Sequence, residues 1–230
     1  MYKKKKILLV VLARSGSVGI KNKNIRKIKN VPLVGRVGNI ANKIKFFDKK
    51  IVSTDSTKIG KIAFKYGLEF NFLRPKKISG PKISDLEVLK HALKRSDKKN
   101  NKFDIVVSMP PTSPLRKIND VKNCIRKIID KKLDAVWTIS KTDTKYHPLK
   151  ALVVSKKRLK YYSKYGNKIK YRQQLKNTYF RNGACYAFSR KTILENSILP
   201  KKSGYVISLS DQISIDTYSD LILAKKILKN

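Results

Sequence analysis

The segment at residues 13–24, ARSGSVGIKNKN, combines small flexible residues with fixed positive charge. It follows an apolar run, Ile7 to Val11, near the start of the chain. Backbone N–H groups, hydroxyls and cations such as Arg14 and Lys23 are the donors that surround a polyphosphate in proteins. The segment therefore predicts a nucleotide-phosphate site, while composition alone leaves a Gly/Ser turn with solvated lysines as the alternative.

The spacing of the glycines excludes two familiar phosphate-binding motifs. Gly16 and Gly19 are not followed by Lys and then Ser or Thr, so this segment does not match the Walker pattern. The same glycines do not form the Gly-x-Gly-x-x-Gly fingerprint of dinucleotide-binding folds. A phosphate site built on this loop therefore belongs to another class.

Four further segments follow the loop in the order expected of one enzyme family. They are VSTD at 52–55, LRP at 73–75, PTSPLR at 111–116 and IDTYSDL at 215–221. Together with ARSGSxGIxxKN they resemble the acylneuraminate cytidylyltransferases, the enzymes that make CMP-sialic acid and its bacterial relatives. The resemblance runs from about Ile7 to Leu228. It implies that CTP and a sugar acid are the substrates, and that pyrophosphate leaves.

Activation of a sugar acid by CTP requires a site that neutralises the charge of three phosphates. We expect Arg14 and Lys23 to be the catalytic cations, and in the resembled family the matching Arg, Ser, Lys and Asn of this loop contact CTP. The loop residues expected to bind the nucleotide are Ala13, Ser15, Gly16, Ser17 and Asn24. Val18 stands where the family usually has Lys or Arg, and Lys21 is expected to be a solvated lysine.

Three further residues are expected near the nucleotide base. Arg74, in LRP, matches the family arginine that faces the base, and a surface arginine before a rigid proline is the alternative. Ser84 and Asp85 stand where the family places a polar helix start near the cytosine. A helix-capping role would explain these two residues equally well.

The expected cofactor is Mg²⁺, which prefers carboxylates together with phosphate oxygens. Asp216 is the leading catalytic ligand, because it matches a metal-binding acid of the family's IDIDT segment. This chain reads ISIDT, so Ser214 replaces a second Asp that many relatives have. We expect Asp211 to be the second metal ligand, with Asp220 and Asp55 as alternatives.

Sugar recognition departs from the family pattern. Many relatives read QPTSPLR, whose Gln approaches the sugar, whereas Pro110 stands at that position here and offers no donor. The resemblance implies that Lys150 and Arg172 bind the sugar carboxylate. The other residues expected near the sugar are Thr112, Ser113, Asn182 and Gly183. Structural turns are the alternative for these four. His147 precedes a proline, which favours a turn over a general base.

The composition limits the function classes. The formal charge of +40 often indicates nucleic-acid binding, yet 44 of the 55 basic residues are lysines scattered through every segment. Nucleic-acid modules instead favour arginine and cluster charge or aromatic residues on one element. The composition therefore argues against nucleic-acid binding, and we expect the charge to attract anionic substrates.

The expected location is the cytoplasm. Cys124 and Cys185 show no CxxC spacing, which favours a reduced protein. The lysines before Ile7–Ala13 resemble the start of a signal peptide, but that apolar stretch spans only seven residues and has no small-residue cleavage site. No stretch approaches the roughly 18 apolar residues that span a bilayer, so no membrane partner is expected.

Short apolar runs alternate with amphipathic helical patterns along one expected domain, residues 1–230. This alternation predicts an α/β fold whose mostly parallel sheet is covered by helices on both faces, and the resemblance adds a nucleotide-diphospho-sugar transferase-like topology. The predicted strands are Ile7–Ala13, Lys50–Ser53, Glu69–Phe72, Ile105–Met109, Asp134–Ile139, Ala184–Phe188 and Tyr205–Ser208. The predicted helices are Pro32–Lys43, Ser56–Tyr66, Ser84–Lys94, Asp120–Lys131 and Ser219–Leu228.

Residues 141–182, called the excursion here, break this alternation. Its alternating stretches at Ala151–Val154, Leu159–Tyr162 and Ile169–Tyr171 predict short, exposed hairpin strands. The resemblance implies that the excursion projects from the sheet, forms the contact of a homodimer and brings residues to the neighbouring active site.

The favoured function is a homodimeric, Mg²⁺-dependent cytidylyltransferase for a nine-carbon 2-keto sugar acid of the sialic or legionaminic type. One alternative acts on an eight-carbon acid of the lipopolysaccharide core. The other is a non-catalytic nucleotide- or RNA-binding relative, which Val18, Pro110, Ser214 and the charge leave open.

Overall fold

The computed structural model describes residues 1–17, 19–97, 102–209 and 212–228. Its strands are β1 (Ile7–Leu12), β2 (Lys27–Ile28), β3 (Val31–Pro32), β4 (Lys49–Ser53), β5 (Ile105–Ser108), β6 (Ala135–Lys141), β7 (Leu152–Ser155), β8 (Arg158–Tyr161), β9 (Tyr179–Ser189) and β10 (Ser203–Ile207). Its α-helices are α1 (Leu33–Asn42), α2 (Thr57–Phe64), α3 (Asp85–Ser96), α4 (Ile118–Asp130), α5 (Arg190–Glu195) and α6 (Tyr218–Ile227). No helix in these ranges is long and apolar enough to cross a membrane.

Six strands form the central sheet, in the order β10-β6-β9-β5-β1-β4. β1 runs parallel to both β4 and β5, and β10 runs parallel to β6. β9 lies antiparallel between β5 and β6. The predicted mostly parallel sheet is therefore confirmed, with β9 as its antiparallel member.

The alternation of side chains along β1 explains why both faces of the sheet are covered. Ile7, Leu9 and Val11 belong to one hydrophobic cluster, which α1, α2 and α4 complete. Leu8 and Val10 point the other way into a second cluster, which α3 and α5 complete. Because both faces are buried, the strand is apolar throughout, as expected for a central strand in an α/β sheet.

Two helix starts have the side-chain caps that their sequences predict. The Ser56 hydroxyl accepts a hydrogen bond from the N–H of Ile59 at the start of α2. The Ser84 hydroxyl accepts one from the N–H of Glu87 at the start of α3. Such caps stabilise a helix by about 1 kcal/mol. The residue that follows this cap, Asp85, is the first residue of α3.

Three predicted details differ from the structure. Glu69–Phe72 is not a strand: this part of the chain forms only isolated bridges, from Glu69 to β4 and from Leu73 to Thr54, which follows β4. Ile169–Tyr171 precedes a short 3-10 turn instead of pairing. The helix α5 was not predicted, because six residues are too few to show a helical period.

The hairpin predicted in the excursion is confirmed at β7 and β8, which pair in antiparallel register. All eight of their residues are exposed. The excursion therefore forms backbone hydrogen bonds without burying the side chains of its hairpin within one chain.

Candidate active site

A cleft of about 510 Å³ opens beyond the carboxyl ends of β1 and β5. This is the edge at which α/β sheets usually bind their ligands. The predicted nucleotide, metal and sugar residues that line it are Arg14, Ser17, Lys23, Asn24, Arg74, Asp85, Thr112 and Asp216. Five segments predicted separately from the sequence therefore meet around one space.

The phosphate loop is fixed to the end of β4 by Asp55. One Asp55 oxygen accepts from the N–H of Ser15 at 2.8 Å, and the other accepts from the Ser15 hydroxyl at 2.8 Å. Asn24 is buried and donates from Nδ2 to the carbonyl of Arg14 at 2.9 Å. Ser15 and Asn24 thus hold the loop in shape, and Asp55 takes the structural role that the sequence left open.

A small hydrophobic core places the loop against the ISIDT segment. Ile20 of the loop and Ile215 are both fully buried in one cluster with residues of α6. Because side chains alternate along an extended chain, burial of Ile215 leaves its neighbours Ser214 and Asp216 outside the cluster. A Cβ added to Gly19 would collide with the carbonyl oxygen of Asp216, so only glycine permits this approach.

The result is a direct contact between the predicted phosphate cation and the predicted metal ligand. Lys23 Nζ lies 2.8 Å from Oδ1 of Asp216, and the Ser214 hydroxyl donates to Oδ2 of Asp216 at 3.1 Å. The Lys23 side chain is only 16% exposed, whereas that of Asp216 is 68% exposed and accessible from the cleft. This geometry brings together the two groups needed for a metal–triphosphate complex.

The other predicted metal candidates are engaged elsewhere or lie outside the described residues. Asp220 caps α6, accepting from the N–H groups of Asp216 and Thr217, and these hydrogen bonds lower the pKa of its carboxyl. Asp211 lies outside the described residues. Within the described ranges there is no cluster of three or more His, Cys, Asp or Glu side chains that could hold a metal ion.

Arg74 offers an unpaired donor to the cleft. Its side chain is 4% exposed, and Nε donates to the Ser79 hydroxyl at 3.1 Å. Its Nη2 is buried and has no hydrogen-bond partner within the described ranges. Burial lowers the pKa of Arg74, but an arginine stays charged. An unsatisfied buried guanidinium nitrogen is costly, so it favours an acceptor on a bound ligand.

The PTSPLR loop is held by its arginine. Arg116 is buried and donates to the carbonyls of Ala184, Pro110 and Gly183. Burial lowers the pKa of Arg116 to about 10. Pro110, Pro111 and Thr112 line the cleft. Arg116 therefore links this side of the cleft to β9 and acts as a structural residue.

Three residues expected near the sugar are part of a buried network at the same junction. The Ser113 hydroxyl donates to the carbonyl of Asn182. Asn182 Nδ2 donates to the hydroxyls of Ser140 and Ser208, and Oδ1 accepts from the N–H of Ala184. Gly183 has φ +72, and a Cβ there would lie 2.5 Å from the Ser113 hydroxyl oxygen. These contacts shape the loop, and direct sugar binding by the three remains a prediction.

A second pocket, of about 230 Å³, adjoins the cleft at Asp85. Trp137 and Tyr186 are paired across β6 and β9 and contact edge to face, with ring centroids 6.1 Å apart. The Arg181 guanidinium lies 5.1 Å from the centre of the Trp137 ring, within range of a cation–π contact. Sequence reasoning missed these residues, although Arg181 directly precedes the Asn-Gly pair and Trp137 is the single tryptophan.

The model of the cytidylyltransferase family matches residues 8–224, which is most of the chain. The chain belongs to the cytidylyltransferase family. It is accordingly a nucleotidyltransferase, as the cationic loop and its facing carboxylate suggest.

Individual relatives agree with this assignment. The cytidylyltransferase is 30% identical over 226 residues to post-translational flagellin modification protein B of Campylobacter coli, covering 97% of this chain and 95% of that one. It is 30% identical over 217 residues to CMP-N,N'-diacetyllegionaminic acid synthase of Campylobacter jejuni, covering 93% and 91%. The solved structure of CMP:2-keto-3-deoxy-manno-octonic acid synthetase complexed with CTP shares the fold, with a TM-score of 0.74, 16% identity, and coverage of 98% and 99%.

Two sugar residues expected in this cytidylyltransferase stand apart from both cavities. Lys150 and Arg172 are exposed on the excursion, and neither lines the cleft or the second pocket. His147 is buried there, with Nε2 against the carbonyl of Lys176 and Nδ1 accepting from the N–H of Leu149. The predicted turn role of His147 is therefore confirmed.

Proposed function

We propose that this cytidylyltransferase condenses CTP with a nine-carbon 2-keto sugar acid of the sialic or legionaminic type, giving the CMP-sugar and pyrophosphate. The observation that carries the nucleotide half is the contact of Lys23 with Asp216 inside a cleft that also contains the unpaired Nη2 of Arg74. The printed name of the Campylobacter jejuni relative supports the sugar half.

The loop provides positive charge and the cleft provides orientation. Arg14 and Lys23 neutralise the triphosphate, and Arg74 donates to the base. Asp55 holds Ser15 and so keeps the loop N–H groups in place before substrate arrives. Preorganised donors of this kind stabilise the charge that develops on the leaving pyrophosphate. They also align the attacking hydroxyl with the leaving group.

The residues present fit Mg²⁺ as the cofactor. Asp216 is an exposed carboxylate next to the phosphate loop, and Mg²⁺ commonly binds through one or two carboxylates plus substrate phosphates. When bound, the ion would neutralise phosphate charge. Because Asp216 is paired with Lys23 here, binding of the metal and the triphosphate would separate the two side chains and give each a new partner.

The sugar acid binds in the second pocket, beside the nucleotide. The aromatic faces of Trp137 and Tyr186 suit a pyranose ring, and Arg181 adds positive charge. Lys150 and Arg172 of a second copy complete the site in a homodimer. Support for the dimer comes from the exposed apolar hairpin, where Val154 is 75% exposed and Leu159 69% exposed. A cytoplasmic location is part of the proposal, supported by two free cysteines.

Pyrophosphate release from CTP tests the proposal. The purified protein should release pyrophosphate with N-acetylneuraminate or legionaminate in the presence of Mg²⁺, and much less with an eight-carbon acid. Pyrophosphate release with the eight-carbon acid alone would show that the substrate is the eight-carbon acid and not a nine-carbon one. No release with any sugar acid, together with CTP or RNA binding, would show a binding protein.

A further inference from the structure

Asp85 connects the two cavities. It is the only residue in the described ranges that lines both the cleft of about 510 Å³ and the pocket of about 230 Å³. It is the first residue of α3, directly after the capping Ser84. If the nucleotide occupies the cleft and the sugar acid occupies the pocket, the reacting atoms of the two substrates meet beside Asp85.

The charges around Asp85 come from both cavities. Arg14 and Arg74 act on its carboxylate from the cleft, and Arg181 acts on it from the pocket. None of these contacts is a close ion pair, and within the described ranges no hydrogen bond to the carboxylate is found. The Asp85 carboxylate therefore has free lone pairs at the border of the two cavities.

Asp85 is still exposed to solvent at the cleft, but partial desolvation by the surrounding protein raises the pKa of its carboxyl above the ordinary value, and the three arginines partly oppose this shift. Tyr186, which faces Asp85 from β9, has its own pKa raised by burial, so its hydroxyl stays neutral at pH 7. A carboxylate with a raised pKa is a stronger base than an ordinary one and is still ionised near neutral pH.

We propose that Asp85 is the general base that accepts the proton of the attacking sugar hydroxyl. The inference rests on the function proposed above. The hydroxyl oxygen forms a bond to the α-phosphorus of CTP, the bond from that phosphorus to the bridging oxygen breaks, and pyrophosphate leaves with the bonding electrons. The hydroxyl proton moves to a carboxylate oxygen of Asp85, and solvent removes it after the product has left.

The other candidate bases are occupied. Among the described residues, the acidic side chains that line the cleft are Asp85 and Asp216, and Asp216 is bound by Lys23 and Ser214. Both oxygens of Asp55 hold Ser15. This leaves Asp85 as the acceptor with an open position facing both substrates.

Asp85→Asn keeps the shape of the side chain and removes its basicity. We expect kcat to fall by about 100-fold, because general-base catalysis contributes about 10²–10⁴-fold. The KM for CTP should change by less than about threefold. The wild-type rate should decline on the acid side as Asp85 becomes protonated, and this decline should disappear in Asp85→Asn. Glu87→Gln is the matched control, since Glu87 is an exposed acidic residue two positions further along α3 and lines neither cavity.

Asp85→Ala gives a second measurement, in which added formate should restore part of the lost rate by replacing the missing carboxylate. Pyrophosphate release by the wild-type protein is measured first. An inactive wild type contradicts the proposed function, whereas an active wild type allows the assignment of Asp85 as general base to be tested separately. An active wild type with Asp85→Asn within about threefold of it would overturn the base assignment. A raised KM for CTP with an unchanged acid limb and no formate rescue would also overturn it, and would make Asp85 a nucleotide-binding residue.

Discussion

The phosphate cleft and the excursion differ in how completely one chain builds them. Around the cleft, polar side chains from distant segments are already paired, Asp55 with Ser15 and Lys23 with Asp216. In the excursion, the hairpin of β7 and β8 exposes all of its side chains, and Lys150 and Arg172 line neither the cleft nor the second pocket. The cleft proposed for the nucleotide is therefore preorganised within one chain, whereas the proposed sugar site depends on the second copy of the proposed homodimer.

The largest effect should come from the cations of the cleft. Lys23→Ala or Arg14→Ala removes charge stabilisation of the triphosphate, so turnover should fall by on the order of 100-fold or more. Pyrophosphate release at saturating substrates measures this. Lys21→Ala is the control, because Lys21 is exposed and does not line the cleft. Equal turnover in Lys23→Ala, Arg14→Ala and the wild type would show that these two cations do not neutralise the triphosphate, and would contradict the view of the cleft as a preorganised phosphate site.

The metal assignment should give the next largest effect. Asp216→Asn weakens the carboxylate that lies against the phosphate loop, so the Mg²⁺ concentration for half-maximal rate should rise by about tenfold or more. The dimer should stay intact in gel filtration, because Asp216 lies in the cleft and not on the hairpin. A normal Mg²⁺ requirement in Asp216→Asn, with a raised one in Asp211→Asn, would move the ligand to Asp211.

Substitutions in the excursion should weaken binding of the sugar acid and leave binding of CTP almost unchanged. Lys150→Ala or Arg172→Ala removes one charge-assisted contact, so the KM for every active sugar acid should rise about tenfold while the KM for CTP changes little. Leu159→Asp, which places a charge on the apolar hairpin, should separate the dimer and raise the same KM. An unchanged sugar KM in both Lys150→Ala and Arg172→Ala would mean that the carboxylate is held elsewhere, for example by Arg181.

The same contrast explains how much the sequence predicted. The strands of the sheet were found because β1 and its neighbours carry continuous apolar runs, and the cleft was found because its cations and carboxylates follow those strands. The second pocket was missed because Trp137 and Tyr186 are 49 residues apart in the sequence, and only the antiparallel pairing of β6 with β9 brings them together. The buried roles of Ser113 and Asn182 also depend on that pairing, which no local pattern encodes.

The smallest expected effect concerns position 214. Substitutions there test whether its side chain serves better by orienting Asp216 or by binding the metal. In this chain the Ser214 hydroxyl donates to Asp216, so it orients the carboxylate that Lys23 also binds. Ser214→Asp replaces that donor with a second carboxylate. Without metal the two carboxylates repel, but Mg²⁺ would bind both and relieve the repulsion. The Mg²⁺ concentration for half-maximal rate should therefore fall by about threefold, while Ser214→Ala should change it little. A higher Mg²⁺ requirement in Ser214→Asp would show that orientation of Asp216 by the serine matters more than an added ligand.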